Sequence, residues 1–282
     1  RSEKYGGHSF RSAAETYIDA KSDVLSPSTI RGYNSLMRNI PDAFLALDCG
    51  DITTLDVQKM VNEYSRTHSA KSTHNLNGFV LAVLRLFDPN MNIRTTLPQI
   101  PRVERYTPSQ EDVRALLEYS YNSEYYAALY LASMSCRCSE ICALTLDDLD
   151  GNILRINKAT VYDENNQIIV RDNTKTEEST RAIYLPDSLV AEIKDAGTIF
   201  DMTPSLLVKT LHSYQDKLKI PRFRLHDLRA YYVSYAHSLG IPDVYIMKNG
   251  GWKTDYVMKS VYREALRDKT DEMQKKIVDG LF

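Results

Sequence analysis

Between residues 88 and 106 the chain loses its helical periodicity and carries Pro89, Pro98 and Pro101 among scattered arginines. Proline fixes φ and removes a backbone donor, so this stretch reads as an extended connector rather than a helix or an inner strand. It divides the 282 residues into a helical region over 1–88, a linker over 89–106 and a larger region over 107–282. At 43% hydrophobic composition, the chain is long enough for two cores of ordinary size.

The first region reads as short amphipathic helices. Ser26-Pro27 supplies a cap and a first-turn proline, after which Ile30, Tyr33, Leu36 and Met37 keep a three-four spacing. Thr53 and Asp56 form a capping-box pattern for a helix running to about Tyr64, and Leu76, Val80, Val83, Leu84 and Phe87 mark one face of a fourth helix. The expectation is a small all-α domain.

The second region opens at Thr107-Pro108-Ser109-Gln110, which reads as cap, first-turn proline and Gln at the third helical position. Helices follow at about 124–134 and 138–145. The period then changes: 152–162, 167–174 and 180–185 alternate apolar and polar residues, with turns at Glu164–Asn166 and Thr176–Ser179. These predict one three-stranded antiparallel unit set into a helical domain. Helical patterns resume over 187–196, 203–217, 226–239, 242–249 and 254–266, with a tail helix within 268–282. The fold class is mainly α with a small antiparallel β-sheet.

Charge does not announce a partner, since 35 basic residues nearly balance 37 acidic ones, although a local basic surface fits inside such a total. Of four cysteines, at 49, 136, 138 and 142, three lie within seven residues without a nearby histidine. A structural zinc site needs four ligands, so these read instead as small buried side chains suited to a reducing cytosol. No apolar run approaches the roughly 20 residues of a spanning helix. The chain opens on Arg1 rather than Met, without a signal-peptide pattern.

Reactive side chains gather at element boundaries, where they are presented rather than packed. Arg137 precedes Glu140 in Cys136-Arg137-Cys138-Ser139-Glu140, so the carboxylate can orient the guanidinium. Lys175 stands at the end of the second strand. His226 and Arg229 share one face of a helix start. Trp252, the single tryptophan, follows Gly250-Gly251, and Tyr256 and Tyr262 come after it. Taken singly, each has an ordinary structural explanation.

Their order, RxSE, a hairpin lysine, HxxR, GGW and a tyrosine, strongly resembles the tyrosine recombinase or phage integrase family, most closely the integrases of phages and conjugative transposons. The resemblance covers about 107–266 and extends loosely to 8–88, which looks like that family's core-binding domain. It implies Arg137 and Arg229 as the clamp on the scissile phosphate, Lys175 as the hairpin lysine, His226 as the HxxR histidine, Trp252 in the second-histidine place and Tyr262 as the nucleophile. Nine residues separate Trp252 from Tyr262, one more than is usual there, and Glu264 stands where a YxH pattern has histidine. Tyr256 is the rival phenol, expected to pack near a helix start.

The resemblance further implies site-specific integration or excision of a mobile element through a 3′-phosphotyrosine, with neither metal nor ATP. Its partners would be double-stranded DNA and three further protomers, with an excision accessory protein and no membrane. Two domains on a connector could close around a duplex. In the first, Ser28, Thr29, Arg31, Lys71, Ser72, Thr73 and Asn77 offer donors suited to phosphates and base edges. Met273, Ile277 and Val278 form a stripe for docking the tail on a neighbour. The competing readings are a type IB topoisomerase and a non-catalytic DNA-binding regulator.

Overall fold

A computed structural model describes residues 7–101, 106–163, 165–172, 180–197, 199–256, 258–259 and 278–280. The chain forms two compact units: Arg1–Val103 with Tyr162–Ile168, and Glu104–Val161 with Ile169–Phe282. Among the described residues no helix is long and apolar enough to cross a membrane.

The first unit is built from α1 (Phe10–Ser22), α2 (Pro27–Met37), the single turn α3 (Asp42–Leu45), α4 (Thr54–Ser65) and α5 (Ala70–Phe87). Side chains satisfy the orphan amides at three helix starts. Ser9 and Ser69 accept from the amides three residues on, and Thr53 and Asp56 form the reciprocal capping box. Ser26 occupies the α2 cap position, but its hydroxyl bonds Ser28 and Thr29 instead of a backbone amide. Phe10, Ala13 and Ala14 of α1 bury against Val57 and Val61 of α4 and against Leu76, Val80 and Val83 of α5. The apolar spacing in the sequence thus becomes one core.

The second unit opens with α6 (Gln110–Ser120) and α7 (Tyr126–Ser133), then the single turn α8 (Cys138–Ile141). The cap of α6 is Ser109, boxed with Asp112, two residues later than the Thr107 pattern predicts. The helix expected over 138–145 is shorter because Asp148 closes a second capping box on Thr145 and starts a 3-10 turn, Leu146–Asp148.

The strands follow: β1 (Leu149–Asp150), β2 (Ile153–Ile156), β3 (Lys158–Tyr162), β4 (Ile168–Asp172) and β5 (Arg181–Tyr184). The expected three-stranded unit is in fact two sheets, one ordered β1-β2-β5 and one a β3-β4 hairpin. The run 152–162 breaks after Ile156, and alternation, which marks the faces of a strand, could not identify its partners. Leu154 pairs with Ile183, and Ile156 with Arg181, so an arginine occupies a core-facing register position.

Among the described residues, helices α9 (Asp187–Ala196), α10 (Pro204–Leu218), α11 (Leu228–Ser238) and α12 (Asp243–Gly250) follow. A 3-10 turn, Leu225–Asp227, leads into α11. The main core packs Leu129 and Leu131 of α7 and Ile141 of α8 with Leu154, Ile183, Leu207 and Leu211. A satellite cluster joins Tyr232, Val233, Ile246, Trp252 and Met258.

Candidate active site

Arg137 caps the single turn α8, and Glu140 sits one turn later at 1% exposure. The Glu140 carboxylate accepts the Arg137 amide at 2.8 Å and its guanidinium at 2.6 Å. From the other side Arg181 delivers a two-pronged fork, Nη2 at 2.7 Å and Nη1 at 3.1 Å to the two oxygens. Burial alone would raise the Glu140 pKa, but the Arg181 fork and Arg137 outweigh it and hold the carboxyl below its ordinary value. The group is therefore an anion at neutral pH.

Two consecutive carbonyls receive the outer arginines. Arg137 Nη2 donates to Gly251 at 3.2 Å, and Arg229 Nη2 donates to Gly250 at 2.9 Å. Arg229 also donates to the Ser135 carbonyl and lies 4.3 Å above the Trp252 ring. The turn requires glycine twice. Gly251 has φ +64°, and a Cβ on Gly250 would fall 1.8 Å from the Trp252 ring.

The two arginines differ in access. The Arg137 side chain is 41% exposed, whereas Arg229 is only 2% exposed. Burial, followed by the charge of Arg137, pushes the Arg229 guanidinium down to about 9, which leaves it cationic at neutral pH. His226 is exposed on the turn that opens α11. Its pKa is lowered first by desolvation and then by the charges of Arg229, Arg224 and Arg137, with Asp227 opposing. Three guanidiniums against one carboxylate leave a positive surplus that a phosphodiester would partly neutralise, next to an imidazole kept neutral and able to accept a proton.

Of the six expected site residues, Arg137, Arg229 and Trp252 meet at the Gly250–Gly251 turn, and His226 lies within the electrostatic reach of both arginines. Lys175 and Tyr262 lie outside the described residues. Tyr256 corrects its expectation: it is 70% exposed rather than packed, because Met258, on the opposite side of that turn, takes the buried position. Sequence reasoning missed Arg181. The available signal was a charged residue in phase with Ile183 and Leu185 on the buried side of an alternating strand.

The expected DNA-contacting residues of the first unit separate by burial. Ser28 and Lys71 are exposed, and Thr29 and Ser72 are half-buried with hydroxyls bonded to Ser26 and Ser69. Arg31 donates to Asn166 at 2.9 Å and lies over Tyr162. Thr73 and Asn77 are buried, Thr73 bonded to the Ser69 carbonyl and Asn77 accepting from Thr95, so packing withdraws both from any ligand. Cys49 and Cys136 are buried as expected, whereas Cys138 and Cys142 are only half-buried. Met273 and Ile277 lie outside the described residues, and Val278 is exposed.

No family model matches the sequence, nor does any curated protein. Solved structures match it in shape. The Tn1549 transposon integrase in complex with transposon right end DNA aligns over 93% of this chain and 98% of its own, with a TM-score of 0.74 and 12% identity. A lambda integrase dimer bound to a COC′ core site aligns over 93% of this chain and 79% of its own, with a TM-score of 0.67 and 13% identity. A lambda integrase tetramer bound to a Holliday junction aligns over 88% and 78%, with a TM-score of 0.64 and 17% identity. This chain has the integrase fold. Within it, the start of α8, the start of β5 and the first turn of α11 supply the three arginines, and the Gly250–Gly251 turn at the end of α12 supplies two of their carbonyl anchors.

Two outcomes follow from this geometry. Gly250→Ala forces the Trp252 ring off Arg229, and because Trp252 is the only tryptophan, its intrinsic fluorescence shifts together with a lowered thermal midpoint. The His226 ring titrates by NMR below the ordinary histidine value of about 6.5, and Arg137→Gln moves the midpoint upward because one depressing charge is gone.

Proposed function

We propose that this chain is a site-specific DNA recombinase that cuts and rejoins strands through a tyrosyl ester, integrating or excising a mobile element. The observation that carries this reading is the anchoring of Arg137 and Arg229 on adjacent carbonyls beside His226, in a chain with the integrase fold. The DNA complexes of the Tn1549 and lambda integrases support duplex DNA as the partner.

A phosphodiester repels nucleophiles, so cleavage needs fixed positive charge where negative charge builds on the nonbridging oxygens. Arg137 offers its exposed flank for this, and Arg229 has five N–H donors, two of which go to Ser135 and Gly250. We assign Tyr262 as the nucleophile. Its phenol oxygen bonds to phosphorus, its proton passes to neutral His226, and the bond from phosphorus to the 5′ oxygen breaks. Lys175 supplies the proton that the departing 5′ oxygen takes. The 3′-phosphotyrosine conserves the energy of the broken bond, so a second 5′ hydroxyl reverses the step without ATP. Loss of one such preorganised donor, as in Arg137→Ala, costs on the order of 100–1000-fold in rate.

Exchange between two duplexes takes four protomers, and we assign this chain the assembly seen for lambda integrase on a Holliday junction. The tail stripe of Met273, Ile277 and Val278 is then the segment exchanged between neighbours. The site of action is bacterial cytoplasm, where mobile-element and chromosomal DNA meet.

The test is incubation with nicked suicide substrates cut from the ends of the encoding element, followed by denaturing electrophoresis. Wild-type protein gives a protein-linked strand, Tyr262→Phe gives none while still binding DNA, and Tyr256→Phe behaves as wild type. An adduct that survives Tyr262→Phe and disappears with Tyr256→Phe moves the nucleophile to Tyr256. Binding without any adduct makes the chain a regulator, and relaxation of supercoils without strand exchange makes it a topoisomerase. For Lys175→Ala, a 5′-thio leaving group, which needs little protonation, restores cleavage. Absence of rescue removes Lys175 as the acid.

A further inference from the structure

Arg181 is a cation in a core position that the proposed chemistry does not use. It opens β5 opposite Ile156, its side chain is 2% exposed, and it shares the inward face of the sheet with Ile183. Buried ion pairs are not needed for stability, since apolar side chains of similar volume often serve as well or better. Its contacts suggest another role. The fork spans both oxygens of Glu140, whose same two oxygens hold the Arg137 guanidinium and amide. The Gly251 backbone also lies against it, since a Cβ there would be 3.1 Å from Nη1. Gly251 is in turn the second anchor of Arg137, and its neighbour Gly250 anchors Arg229.

We infer that Arg181 is a positioning residue for strand cleavage, setting the Arg137 guanidinium through Glu140 and the Gly250–Gly251 turn. Two routes run from one buried fork to the exposed clamp. Without the fork, a buried carboxylate faces Arg137 alone and draws its donors inward, away from the position a phosphate would occupy. Lysine in place of Arg181 keeps the charge, but its single ammonium cannot hold two oxygens 2.7 and 3.1 Å from two separate nitrogens. The fork, rather than the charge alone, does the positioning. In its activity readout the inference rests on the proposed strand cleavage; in its geometry it does not.

The experiment compares wild type, Arg181→Lys and the uncharged pair Glu140→Gln/Arg181→Met, after Trp252 fluorescence has shown each to be folded. The expected result for Arg181→Lys is adduct formation slower by about 10–100-fold at saturating nicked DNA, with unchanged DNA affinity, because a misplacement of about 1 Å costs up to about 100-fold. The uncharged pair folds and is at least as slow. The Arg137 Nε–H NMR signal, single and ordered in wild type, shifts or broadens in Arg181→Lys. If folded Arg181→Lys cleaves at the wild-type rate, or if its deficit disappears when temperature is lowered to offset lost stability, Arg181 is structural only. If the wild type forms no adduct, the functional reading fails. The Arg137 signal then decides the positioning claim alone, and an unchanged signal in Arg181→Lys overturns it.

Discussion

A single buried carboxylate organises the second unit. Glu140 is desolvated nearly completely and remains anionic only because Arg181 and Arg137 together supply more than its burial takes away. A charge in that position makes its surroundings obligatory. The strand carrying Arg181 must reach the single turn carrying Glu140, and removing Arg181 or Glu140 leaves the other charge in the core without its forked partner. The meeting of α8 with β5, which fixes where the clamp can stand, is therefore an electrostatic constraint before it is a catalytic one.

The Gly250–Gly251 turn adapts that constraint to the surface. By ending α12 in a left-handed residue, it turns two carbonyls toward two guanidiniums and lets the Trp252 ring pass where a Cβ would otherwise be. The indole then floors Arg229 while packing into the cluster of Tyr232, Val233, Ile246 and Met258. Arg229 is fixed by two carbonyls and a ring face, so its geometry is set before any ligand arrives. Fixed donors of this kind need no reorganisation when charge develops beside them.

How much of this was legible in the sequence depended on whether a feature is local. Helix caps are local, which is why Thr53–Asp56 marks its helix correctly, and the Arg137–Glu140 spacing shows its own pairing three residues apart. Strand partners are not local: the same alternation describes β2 beside β5 and β3 beside β4, and only tertiary packing separates them. Arg181 was hidden for the same reason, since its partner is 41 residues away. Thr73 and Asn77 misled because a polar side chain near a helix start can cap, pack or present itself, and the buried side of α5 decided among the three. Tyr256 erred in the opposite direction, an aromatic left outside because Met258 filled the core.

The charge balance joins the parts. A net charge of −2 over the whole chain gives no hint of an anion site, yet the fold gathers three guanidiniums, from residues 137, 181 and 229, around one carboxylate. That excess adds to the effect of burial: desolvation first and then Arg137 push Arg229 down, and desolvation first and then Arg229, Arg224 and Arg137 push His226 down. An anion that settles among the guanidiniums offsets those Coulomb contributions, which raises the proton affinity of His226. An empty site thus holds its imidazole neutral, and a filled one makes that imidazole a stronger base. Ligand charge and proton acceptance are coupled by the same cations that position the clamp.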